Sequence, residues 1–412
     1  MPKTSSAILG LAEQLAAQQL ASDTAKTKRF PLLLVRKLGR MSASPLAFLR
    51  GAAPLFYELL AEHPELADGP PGEGWLVGDL HLENFGAYRP DSLDDDSAKK
   101  RSAVFDLNDF DDALIGPWRL DVLRLTTSLL LGGRELGTNG VLALDLADSL
   151  LEAWSLAAFD GAKLPDAPAP IAALIEQVRG QSRASLLKDR TETVGGKIRF
   201  VRSSGRYADL AKDVEEHVAA AFEAYVTTIQ ADERPGPKCS LAIVDAALRI
   251  AGTGSLGGLR IAVLIEGHGG ADGGWIFDLK EQGTPSAAVL LGAPSLVPAE
   301  RVVAGFRACI AHPPRALGTT TLGKLSLFGR RLAPQEDKLD LRHMKRTDLP
   351  ALARYLGALL GRAHARSATK PPHGAWSKTD REHVRHQAVR LAGLHEAIYL
   401  ALCEQMRPLL VS

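Results

Sequence analysis

Two neighbouring stretches decide how this chain reads: GDLHLENFGAYRP at residues 78–90 and VFDLNDFDDALIGPWRLDVLRL at residues 104–125. Trp75, Leu76 and Val77 form a short apolar run that delivers Gly78 and Asp79 into a loop. Val104 and Phe105 do the same for Asp106 to Asp112. Asp79, Asn84, Asp106, Asn108, Asp109, Asp111 and Asp112 therefore gather at the ends of two buried strands. Charges beside a core are costly unless paired, hydrogen-bonded or metal-bound. A magnesium site with a catalytic carboxylate beside it would relieve that cost.

The frame around these motifs is large. At 412 residues the chain is long enough for two or three domains or one two-lobed enzyme, and its 46% apolar content supports a sizeable core. A net charge of +1 argues against a dedicated nucleic-acid binder. Cys239, Cys309 and Cys403 are scattered, which fits neither a disulfide framework nor a zinc site. The first residues carry no signal-peptide pattern, and no apolar run reaches the ~18 residues of a membrane span. The expectation is a cytoplasmic protein without a membrane partner.

Residues 1–30 read as a loosely attached helix with a basic end at Lys26, Lys28 and Arg29. Residues 41–62 predict a helix opened by Ser44 and Pro45. The Asp94-Asp95-Asp96 triplet falls in a polar loop and reads as solvated. Helical periodicity runs through 120–136, 141–159, 214–229, 349–365 and 382–403. A composition shift near Glu233 to Pro237 opens a region of strands at 241–250, 261–265 and 275–280, a helix from Pro298, and strand-like residues 318–332. The implied units are 1–39, a helical unit at 40–235, a sheet unit at 236–335 and C-terminal helices at 336–412.

Gly252-Thr-Gly-Ser-Leu-Gly257 is a GxGxxG, by itself a weak signal. A strand follows it instead of a helix, which predicts a strand–turn–strand flap whose backbone can lie close to phosphates through Gly252, Gly254, Ser255 and Gly257. An ordinary glycine hairpin is the plain alternative. Lys280 ends the next strand, and Glu300 opens the following helix. A third-strand lysine on nucleotide phosphates, paired with a helix glutamate, is the protein-kinase arrangement. Glu281 competes for the pairing, and a plain edge-strand lysine is the alternative role. In the acidic motifs, Asp79 is the candidate catalytic base, Asn84 a magnesium ligand, and Asp109 or Asp106 the second ligand. Asp121 reads as a helix cap and brace for the loop, and His81 as a supporting hydrogen-bond partner.

SPLAFLRGAA (44–53), GDLHLENFG (78–86), FDLNDFDDALIGPWRLDVLRL (105–125), GTGSLGGLR (252–260), DLKE (278–281), ERVVAGFR (300–307) and LLGRAHARS (359–367) together resemble the uncharacterised bacterial family called domain of unknown function 2252. The resemblance covers roughly residues 30–405. GDLHLEN and DFDDALIGP are also similar to the catalytic and metal loops of aminoglycoside phosphotransferase-like kinases. That likeness implies Asp79 as base, Asn84 and Asp109 as metal ligands, and ATP with Mg2+ as cofactors. In those kinases the glycine flap and lysine precede the catalytic loop, whereas here they follow it by some 170 residues. The expected fold is therefore α+β, two-lobed and protein kinase-like with circularly permuted order. The expected function is phosphotransfer to an unknown small-molecule or protein hydroxyl. A nucleotide-binding pseudokinase and a metal-dependent phosphoesterase are the alternatives, the latter weakened because His63, His217 and His268 lack a metal-loop context.

Overall fold

The computed structural model describes residues 2–90, 103–270, 272–332, 337–339, 344–370 and 374–411. Helices α1 (Pro2–Lys26), α2 (Leu32–Met41), α3 (Pro45–Gly51) and α4 (Ala53–Glu62) lead to strands β1 (Glu73–Leu76), β2 (Phe85–Tyr88), β3 (Val104–Leu107) and β4 (Leu114–Pro117). Next come α5 (Arg119–Glu135), α6 (Gly140–Phe159), α7 (Ala169–Gly180), α8 (Arg183–Arg190), β5 (Thr191–Val194), β6 (Lys197–Phe200), β7 (Tyr207–Ala208) and α9 (Lys212–Thr228). Then follow β8 (Ser240–Arg249), β9 (Arg260–Gly267), β10 (Trp275–Gln282), α10 (Ala288–Leu291), α11 (Pro298–Cys309), β11 (Gly318–Leu322) and β12 (Leu325–Arg331). Strand β13 (Asp337–Lys338) and helices α12 (Leu349–Arg366) and α13 (Lys378–Val411) complete the order.

The architecture is mixed α+β. Its main sheet runs β11-β12-β10-β9-β8-β7, with smaller sheets β1-β4, β13-β2-β3 and β5-β6. Local chemistry explains several boundaries. Ser44 Oγ accepts the Ala47 N–H at 3.1 Å and Pro45 takes the first helical position, so α3 starts where the sequence predicts. The single helix expected at 41–62 is two, however, divided at Ala52. Pro54 lacks an N–H and its ring would meet the carbonyl four residues back.

Strand β10 carries the logic of the sheet in its alternation. Phe277 and Leu279 pack with Ile261, Val263 and Leu327 under Phe222 and Tyr225 of α9. On the other face Ile276 joins Ala262, Leu264, Leu187 and Phe200. Farther along that second face the residues become Asp278, Lys280 and Gln282, because side chains of one strand face alternate by twos. A separate, larger core unites α3–α6, α12 and α13 with the acidic-loop strands, and Val302 and Phe306 of α11 reach into it.

The units differ from those drawn on composition. β7 pairs with β8 through Tyr207↔Arg249, and α9 covers the sheet, so the sheet unit reaches back past residue 236 to about Arg183. A composition shift marks a loop, and cannot show which core a preceding helix joins. Nor is the N-terminal segment loose. Leu15 and Ala16 of α1 are in the helical core, Phe30 packs on the sheet core, and Lys37 and Asp23 form a buried ion pair at 2.5 Å. The Asp94–Asp96 triplet lies outside the described residues. No helix among the described residues is long and apolar enough to cross a membrane.

Candidate functional site

The GDLHLEN loop is held by its backbone. Asp121, fully buried on α5, accepts the Val77 N–H at 2.7 Å and the Gly78 N–H at 2.9 Å. Its carboxylate also meets His364 Nε2 at 3.2 Å, while Trp154 Nε1 donates to His364 Nδ1 at 3.0 Å. That donation leaves Nε2 as the protonated nitrogen, so a neutral imidazole donates to Asp121. Asp121 braces the loop as the sequence suggested, but it does not cap α5, whose N-cap position is Trp118. Gly78 sits at φ +84°, where a Cβ would collide with the Asp112 carbonyl, so the two acidic loops touch at a position only glycine fits.

Past Gly78 the side chains turn into a cleft. Asp79 receives Arg124, through Nη2 and through Nε at 3.1 Å. Arg124 is buried, donates to the Leu49 carbonyl at 2.8 Å and lies over the Phe56 ring. Burial pushes the Asp79 carboxyl up to about 7, with Asp112 and Asp109 acting the same way and Arg124 opposing. His81 Nδ1 accepts the Glu83 N–H at 3.1 Å, the supporting role expected of it. Asn84 O accepts the Asn108 N–H at 2.9 Å, which joins the two motifs through their backbones. Asn84 is 3% exposed, and its Oδ1, like Asn108 Oδ1, is buried without a hydrogen-bond partner.

Opposite stands the glycine turn, between β8 and β9 as expected. A Cβ at Gly254 would lie 3.7 Å from Asp79 Oδ2 and 3.2 Å from Arg50 O. Gly252 and Gly257 have φ of +78° and +105°. Two adjoining chambers of about 650 and 880 Å3 share Asp109, Asp111, Gly252, Ser255 and Lys280 in their linings. The larger also includes Asp79, Asn84, Gly254 and Gly257. Motifs some 170 residues apart in sequence thus line one cleft.

Lys280 lies in the cleft but is already paired, and two other expected site residues, Glu300 and Asp106, lie outside it. Lys280 Nζ contacts Asp111, whose Oδ1 also accepts Gln282 Nε2 at 2.9 Å. Glu300 is exposed in the first turn of α11 and lines neither chamber. Its neighbour Arg301 is the buried one, donating to the carbonyls of Ala113, of Asp111 at 2.7 Å and of Gly283 at 3.2 Å. One residue along a helix is a rotation of about 100°, so Glu300 and Arg301 cannot both face inward. Asp106 is inside β3 instead of following it, and lines neither chamber. Burial raises its carboxyl to about 6, and Arg362 and Arg366 of α12 are the charges that pull it back down. Of the two alternatives for the second metal ligand, Asp109 is the one in the cleft.

Sequence reasoning passed over several residues. Arg124 was legible as the position one turn beyond Asp121 on the same helix. Asp278, two residues before Lys280, holds Arg249 at 2.6 Å and Arg260 at 2.8 Å, and those two guanidinium groups keep its carboxyl well below the usual range.

Among the described residues no three carboxylate, imidazole or thiolate groups converge to hold a metal by themselves. Magnesium needs no such cage, since it is commonly held by one or two carboxylates plus phosphate oxygens and water. The orphaned Asn84 Oδ1 and the carboxylate of Asp109 fit that mode.

The family described as an uncharacterized protein conserved in bacteria, DUF2252, matches residues 29–405. The chain belongs to this family. Neither the curated proteins nor the solved structures contain a match to the chain. The DUF2252 span holds both acidic motifs, the glycine turn, Lys280 and His364, while α1 lies outside it.

Proposed function

We propose that the chain is an ATP- and magnesium-dependent phosphotransferase of circularly permuted, protein kinase-like design. The observation that carries this reading is the single cleft: the Gly252–Gly257 turn and Lys280 face Asp79, Asn84 and Asp109 across it. In phosphoryl transfer the protein mainly positions groups and balances charge. The glycine backbone and Lys280 hold the triphosphate, for which Lys280 exchanges its resting contact with Asp111. Asp79 takes the proton of the acceptor hydroxyl. The acceptor oxygen forms its bond to the terminal phosphorus, the bridging P–O bond breaks, and ADP leaves with that electron pair. Asn84 and Asp109 hold magnesium, which neutralises charge on the phosphates when bound.

Asp79 must be ionised and free enough to accept a proton, and Arg124 bears on both. The ion pair favours a second reading, a nucleotide-binding regulatory module without transfer. The two are separated by Asp79→Asn and by wild type assayed over a panel of acceptors with labelled ATP. The transfer reading expects label in an acceptor, lost in Asp79→Asn with ATP binding intact. ATP binding without transfer to any acceptor would favour the regulatory module, and loss of ATP binding in the variant would refute the base assignment.

A further inference from the structure

Building on the transfer reading, we infer that the chamber beside Asp79 takes a small acceptor bearing an anionic group, phosphomonoester or carboxylate, near its reactive hydroxyl, and rejects polyamines. A volume of about 880 Å3 falls in the range of small-molecule sites. One wall carries Lys26, Lys28, Arg29 and Arg50, from the junction of α1 with α2 and the end of α3. The floor carries Asp79, Asp109, Asp111 and Asp112.

On the floor Asp79 is paired with Arg124 and Asp111 with Lys280, Asp112 accepts the Ser286 N–H, and Asp109 is the carboxylate that magnesium would neutralise in the proposed function. The wall is less fully paired. Arg29 meets Glu281 at 2.7 Å and Arg50 meets Glu83 at 2.8 Å, yet Arg50 Nε stays buried without a partner. Lys26 Nζ donates to the Gly254 carbonyl at 2.8 Å, which satisfies a proton but not its charge. Lys28 is exposed, and its ammonium makes no hydrogen bond or ion pair among the described residues. Burial lowers the Arg40 guanidinium, and the neighbouring Arg36 and Arg50 add to that, so further guanidinium groups stand behind the wall. Gly254 neighbours both Lys26 and Asp79, which brings the uncompensated ammonium beside the proposed base. A cationic acceptor would be repelled there, and an anionic one drawn in and oriented.

The test is titration calorimetry on the full chain saturated with magnesium and a non-hydrolysable ATP analogue. The probes are glycerol 3-phosphate, glycerate, glycerol and spermine; the first two separate a phosphate from a carboxylate preference. At least one anion is expected to bind, with glycerol and spermine silent. Lys28→Glu, a change at an exposed and unpaired position, should weaken the anion roughly tenfold, and Lys28→Arg should restore it. The inference is overturned if neither anion binds at millimolar concentration, if spermine binds instead, or if Lys28→Glu has no effect. Displacement of the anion by the analogue would also overturn it, because the wall would then serve the nucleotide. If the analogue itself fails to bind, the transfer reading falls, and the same titrations without nucleotide still decide the charge of the ligand.

Discussion

Burial and Arg124 pull the Asp79 carboxyl in opposite directions, and burial prevails, lifting it to about 7. A base with that value is half ionised near neutrality, which suits proton transfer there. The sign follows directly: the ionised form is the active one, so transfer measured as kcat/KM should rise with pH through about 7 and level off above it. A profile flat between pH 5 and 8 would remove Asp79 from the role. Asp106 makes the contrasting case. Its carboxyl rises from the ordinary 3.8 to about 6, so it adds stability below about 3.8 that is lost as pH climbs through 6. Asp106→Asn should therefore flatten the dependence of stability on pH across that window, read by urea unfolding at several pH values. It should leave the magnesium requirement unchanged, whereas Asp109→Asn should raise the magnesium concentration needed for nucleotide binding.

At the scale of elements, α5 is the part that fixes the acidic loops. Within its first two turns Asp121 holds the loop backbone and Arg124 holds the Asp79 side chain. Asp121→Ala would strand two buried N–H groups and the His364 donor. Each abandoned buried donor costs about 1–3 kcal/mol, so a loss of at least about 3 kcal/mol is expected in chemical denaturation. A loss under about 1 kcal/mol would mean that the loop does not depend on this brace. Helix α11 ties the sheet to the same loops through Arg301, where sequence reasoning had placed Glu300. Both lie in the first turn after Pro298, and periodicity alone leaves the phase of so short a polar stretch undetermined.

On the scale of the whole molecule, the cleft closes between two cores that α11 and the N-terminal strap hold together. Lys26 and Arg40 donate to carbonyls of the glycine turn, and Arg29 reaches Glu281 on β10. A nucleotide that bridges the cleft should stabilise both cores at once. At a hundred times its dissociation constant ATP would add about 2.7 kcal/mol, visible as a rise in Tm. The rise should require magnesium and shrink in Asp109→Asn. An equal shift with ATP alone in both proteins would argue against a metal held by Asp109.

The strands on either side of the glycine turn, the loops after Val77 and the long helices were legible because each rests on a short-range rule: alternation by two, periodicity of 3.6, or a proline or glycine at a break. The residue types of the cleft were legible too, since Asp79, Asn84, Asp109 and Lys280 stand beside apolar strands where their cost demands a use. Only the tertiary structure decided that Asp109 faces the cleft while Asp106 lies away from it, that Lys280 meets Asp111, and that α8 to α9 belong with the sheet. Those outcomes depend on which surfaces pack against each other from distant parts of the chain, and such contacts leave no local trace in the order of residues.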